Sequence, residues 1–122
     1  MELDAMKKAV IDALEDIKAQ DISVLDVAKL TPVTSCMIIA SATSTRQAKS
    51  LAHNVQVKMK EHGITPTGVE GEQEGEWVLV DLGEIVVHIM LQNTRDYYNL
   101  EQLWGATENR RQSLAGKQPA AQ

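Results

Sequence analysis

The chain has 122 residues, with 12 Lys and Arg against 17 Asp and Glu, a formal net charge of -5 and 43% apolar residues. That is about one domain of chain with enough hydrocarbon for a packed core, which excludes a disordered polymer. The acidic balance argues against a broad nucleic-acid grip, the single Cys36 excludes an internal disulfide, and no apolar run approaches the ~18–20 residues of a membrane span. The acidic opening Met1-Glu2-Leu3-Asp4 lacks the basic-then-apolar layout of a signal peptide, so a cytoplasmic protein is expected.

Leu3, Met6, Val10, Leu14 and Ile17 recur at helical spacing and predict an amphipathic helix over 2–19. Ile22, Val24, Leu25 and Val27 predict a strand over 22–27, followed by a loop that contains Pro32. Cys36-Met37-Ile38-Ile39-Ala40-Ser41 is a continuous apolar run too short for a helix, so it reads as a central strand buried on both faces. Ser44 or Thr45 caps a second helix whose buried stripe is Ala48, Leu51, Ala52, Val55 and Met59, and Gly63 ends it.

Thr67 to Glu70 is a weak strand, and Gly71 to Gly75 a polar turn. Trp77-Val78-Leu79-Val80-Asp81 and Ile85-Val86-Val87-His88-Ile89-Met90 form a hairpin across Leu82-Gly83-Glu84. A last helix starting near Thr94 carries Tyr97, Tyr98, Leu100, Leu103 and Trp104. The expected architecture is an α/β domain over residues 1–104, with one mixed sheet of about five strands, one parallel crossover and flanking helices. Residues 105–122 lack apolar periodicity and are expected to be a flexible tail.

Charge and aromatic residues are unevenly placed. Val27 to Lys60 holds five bases and no acid, whereas Glu61 to Thr94 holds seven acids and no base. This pattern fits either solvated faces or a polarised surface whose acidic side seeks a basic partner. There is no Phe, and the four aromatic side chains are Trp77, Tyr97, Tyr98 and Trp104. Such a cluster serves either an interface or the cap of an aliphatic core.

Catalytic chemistry is hard to find. Cys36 lies in the central strand, where a thiol is inert packing. His53, His62 and His88 lack metal-ligand spacing. His88 faces the side opposite Val87 and Ile89 and reads as a histidine bonded to a polar neighbour. Ala42-Thr43-Ser44-Thr45-Arg46 joins a strand to a helix without the glycines of a phosphate loop, so it reads as a capped turn. Neither a metal nor a cofactor is expected. Glu70, Glu72, Glu74 and Glu76 fall on one side if extended, as a solvated turn or a partner contact.

The stretch Trp77 to Met90 resembles the ribosomal silencing factor family, RsfS, also called YbeB or Iojap. The continuation Arg95-Asp96-Tyr97-Tyr98-Asn99-Leu100-Glu101-Gln102-Leu103-Trp104 resembles it too, as do Asp21 to Val27, Cys36 to Ala40, Ser44 to Gln47 and Gly68 to Gly71. The resemblance runs from about residue 3 to residue 104, and its ordered combination is specific where single pieces are not. It implies a nucleotidyltransferase-like fold without catalysis. It also implies binding to the large ribosomal subunit through ribosomal protein L-fourteen, which blocks subunit joining and damps translation when nutrients are scarce.

Enzymes of that fold carry a Gly-Ser turn and paired aspartates. Here the turn is Ala42-Thr43-Ser44-Thr45 and no aspartate pair follows it. A small nucleotide-binding enzyme is therefore the alternative function and not the leading one. The expected contact set is Trp77, Tyr97, Tyr98 and Trp104, with Glu70, Glu72, Asp81 and Glu101 around it. No membrane contact and little direct nucleic-acid contact are expected, and a homodimer of the free protein is left open.

Overall fold

A computed structural model describes residues 1–104, with the side chains of Leu103 and Trp104 excepted. The expected tail and the orientation of Trp104 lie outside the described residues. Helix α1 (Leu3–Asp16) buries Met6, Val10, Ala13 and Leu14, the stripe its 3.6-residue period predicts. It stops short of residue 19 because Lys18 takes a left-handed conformation, φ 65°. The amide of Ala19 then donates back to the Leu14 carbonyl at 3.0 Å, and the chain is freed to start strand β1 (Gln20–Asp26) earlier than the apolar pattern suggests.

Strand β2 (Cys36–Ala42) is buried along its whole length, as its unbroken apolar run requires. Helix α2 (Thr45–Glu61) follows. Ser44 Oγ accepts from the Gln47 amide at 3.0 Å, and the Gln47 side chain accepts in return from the Thr43 amide at 2.6 Å. This reciprocal cap consumes the polar groups of the turn. Gly63, φ 80°, ends the helix as expected.

Short β3 (Gly68–Glu70), β4 (Trp77–Asp81) and β5 (Ile85–Leu91) complete a five-stranded sheet of order β1-β2-β5-β4-β3. Only β2 and β5 pair in parallel, so the sheet is mixed with the one crossover expected. The expected last helix is in fact two. Helix α3 (Gln92–Tyr98) begins directly after β5, and Asn99 at φ 46° breaks the chain before α4 (Leu100–Trp104).

The sheet has two unlike faces. One packs Ile38, Ala40, Val78, Val80, Val87 and Ile89 against α1 and α2 in the main aliphatic core. The other carries Leu25, Met37, Ile39 and Met90, which Leu100 covers from α4. That cover ends near β5. Leu79 and Val86 on the same face are half-buried and lie outside both clusters.

Candidate functional site

Register places a defined set of side chains on the partly covered face. Leu79 lies opposite both His88 and Glu70, Trp77 opposite Met90, and Asp81 opposite Val86 and Gly68. Cross-strand partners point to the same side, so Trp77, Leu79, Asp81, Val86, His88 and Glu70 form one surface. The turn before β4 fixes where this surface begins. Gly71 has φ 82°, and a Cβ there would fall 2.1 Å from the Trp77 carbonyl oxygen, so only glycine lets the chain deliver Trp77 to the strand start.

Four rings run in sequence across the edge of α3. Tyr97 meets Tyr98 edge-on at 4.9 Å, Tyr98 packs on Trp77 at 4.8 Å, and Trp77 leans on His88 at 5.9 Å. Tyr97 is 81% exposed and Tyr98 52% exposed. Aromatic area left in water at this density is what binding surfaces offer and cores do not. Trp77, although first in its strand, is not an exposed anchor. It is half-buried against the second core cluster, and its indole Nε1–H donates to His88 Nδ1 at 2.9 Å. Trp77 therefore backs the surface, and the two tyrosines present it.

His88 is 6% exposed, and burial pushes its imidazole down from 6.5 to about 4, so the ring is neutral at physiological pH. The polar neighbour expected of it from sequence is the Trp77 indole. Because Nδ1 accepts, the ring proton sits on Nε2.

The acids divide. Glu70 and Asp81 stand on the open part of the face, and Asp81 Oδ1 accepts from the Gly83 amide at 2.9 Å. Glu72 turns toward α2, where the Gln56 side-chain amide donates to it at 3.4 Å. Glu101 points inward. Its carboxylate accepts from Arg95 Nη2 at 2.6 Å and from Ser23 Oγ at 2.8 Å. The structure thus brings Trp77, Tyr97 and Tyr98 together, sets Glu70 and Asp81 farther along the same sheet face, and places Glu72 and Glu101 elsewhere.

Sequence reasoning missed the part played by Arg95. Its guanidinium is buried and donates to Ser41 Oγ at 2.9 Å, Ser23 Oγ at 3.0 Å and the Asp21 carbonyl at 2.6 Å, besides Glu101. Asp21 has φ 48° where the β1–β2 register slips, which brings that carbonyl within reach. This network pins α3 and so fixes where Tyr97 and Tyr98 emerge. The signal available in sequence was opposite charge at positions 95 and 101, a spacing that no single helix brings face to face.

Cys36 is buried, and burial pushes its thiol up to about 11. Among the described residues no cluster of three or more His, Cys, Asp or Glu is placed to hold a metal ion, and no helix is long and apolar enough to cross a membrane.

Comparison with known proteins then adds identity to geometry. The model of a family described as ribosomal silencing factor during starvation matches residues 1–122. The ribosomal silencing factor RsfS of Chromobacterium violaceum is 54% identical over 105 residues, 86% of this chain and 86% of its own. The mouse protein named mitochondrial assembly of ribosomal large subunit protein 1 is 35% identical over 99 residues, 78% of this chain and 43% of its own. A crystal structure of a Chromobacterium violaceum protein superposes with a TM-score of 0.86 at 48% identity, over 98% of this chain and 92% of that one.

Proposed function

The chain belongs to the ribosomal silencing factor family, and on that premise we propose that it is a non-enzymatic module that binds the large ribosomal subunit through ribosomal protein L-fourteen. Seated at the face that meets the small subunit, it blocks subunit joining by occupying volume and so represses translation when nutrients are scarce. It acts in the cytoplasm. The mouse relative supports the choice of subunit, since its name assigns it to large-subunit assembly.

One observation carries the location of the contact. Among the described residues Tyr97 and Tyr98 stand exposed and are backed by Trp77, whose sheet face carries Glu70 and Asp81 farther along and is only partly covered. Ribosomal proteins are basic because they neutralise RNA phosphate, so a protein reaching one of them gains from acids around an aromatic centre. Trp104 stays in the contact set on its sequence position. Glu72 and Glu101 leave it, being engaged elsewhere.

The test is sedimentation of the purified protein with separated ribosomal subunits. Pelleting with the large subunit alone, and loss of subunit joining as the protein is added, are the expected results. Failure to pellet with the large subunit would sink the reading.

A further inference from the structure

Among the polar groups of the proposed contact face, His88 stands apart. The imidazole is 6% exposed, its Nδ1 accepts from Trp77 Nε1 at 2.9 Å, and no acceptor among the described residues meets its Nε2–H. Buried side-chain donors are nearly always satisfied, because an unmet one loses its hydration and gains nothing in return. His88 itself stands where the cover of the face stops. One cross-strand neighbour is Ile39, packed under Leu100, and the other is Leu79, which lies outside both core clusters.

The Trp77 bond also fixes what His88 can do. With Nδ1 held as acceptor, Nε2 can only donate, so the ring selects an oxygen acceptor and rejects a second donor. The flanking charges narrow this further. Glu70 and Asp81 share the face, and the whole stretch from Glu61 to Thr94 contains no base, so a partner carboxylate is repelled. What fits is a neutral carbonyl carried by a chain that also bears Lys or Arg.

Resting on the reading that this face meets ribosomal protein L-fourteen, we propose that His88 is a specificity-determining contact whose Nε2–H donates to a neutral carbonyl oxygen of that protein. Trp77 acts through it as a positioning residue, holding the imidazole in the donating tautomer. Partner binding then supplies an acceptor that none of the described residues offers. Recognition becomes steep in geometry, since a partner without that carbonyl leaves the donor buried and unmet.

Two substitutions separate the roles of the two nitrogens. His88→Asn keeps an acceptor near the Nδ1 position for Trp77 and removes the Nε2 donor. His88→Gln places an amide N–H near the Nε2 position. Affinity for isolated large subunits should fall about ten-fold or more in His88→Asn and recover most of that loss in His88→Gln. Parent-like binding by His88→Asn, or equal loss in both, overturns the proposal.

Should the Asn variant not fold, the intact protein decides. Its His88 Nε2–H resonance is followed by ¹⁵N-edited NMR on titration with isolated ribosomal protein L-fourteen. A downfield shift and slowed proton exchange are expected, and an unchanged resonance on a bound complex overturns the idea. If the parent itself binds neither the subunit nor the isolated protein, the functional reading fails instead, and the two failures are distinguishable.

Discussion

The two faces of the sheet are built from different chemistry. The face under α1 and α2 is closed and apolar, with Ile38, Val80, Val87 and Ile89 packed in one cluster with Val10, Leu14, Leu51 and Val55. The other face carries Ser23, Ser41, His88 and Arg95 among its buried residues, and the described residues cover only part of it. On the closed face any side chain of the right size contributes, because burial of area is non-directional. On the other each polar group needs its own partner in place. The closed face makes the domain stable, and the open one is where the proposed contact lies.

The largest expected effect breaks this contrast where a charge does the work of a core. Arg95→Ala removes donors to Asp21, Ser23, Ser41 and Glu101 at once and should cost about 3–5 kcal/mol. Leu51→Ala on the closed face should cost about 2–5 kcal/mol through its cavity. The two should differ in consequence. Chemical unfolding gives each stability, and large-subunit affinity of whatever remains folded should fall in Arg95→Ala and hold in Leu51→Ala. Equal affinity in both would mean that α3 does not position the contact.

The next effect is an acid ramp. The folded His88 is pushed down to about 4 by burial, whereas the unfolded chain titrates near 6.5. As pH falls below 6.5 the unfolded state takes up the proton first, so the full contribution is present above 6.5. It is lost as pH falls toward about 4 and is constant below that. Its size is of the order of 3 kcal/mol. Urea midpoints measured from pH 7 to pH 4 should show the slope in the parent and lack it in His88→Asn. A slope that survives the substitution assigns the titration to another group.

How much of this was legible in sequence follows the same division. The closed face could be read because its periods are local. The unbroken run at Cys36 marks β2, the helical stripe Ala48 to Met59 marks α2, and Ser44 and Gly63 mark its ends. The aromatic cluster was legible as composition. Its wiring was not, since the Trp77–His88 bond depends on strand register, and Arg95 is buried only because partners up to 74 residues away converge on it. The acids mislead for a related reason: the turn at Gly71 separates Glu70, on the open face, from Glu72, beside α2. Asn99 and Lys18 in left-handed conformations broke or shortened helices whose side-chain pattern runs on.

The smallest effect on stability is also the sharpest on function. Tyr98 is half in water, so Tyr98→Ala should cost the fold about 1 kcal/mol or less. If the partly covered face is where the large subunit is met, the same change removes an interface anchor and should weaken binding by about 2 kcal/mol or more, roughly thirty-fold. Val57→Ala, exposed on α2 at the opposite side of the sheet, is the matched control. The decisive measurement is the affinity of the parent and these two variants for isolated large subunits, with melting temperatures taken alongside. The account predicts a thirty-fold loss for Tyr98→Ala alone, with both variants folded. Parent-like affinity in folded Tyr98→Ala, or a loss confined to Val57→Ala, would place the contact on the other face and contradict it.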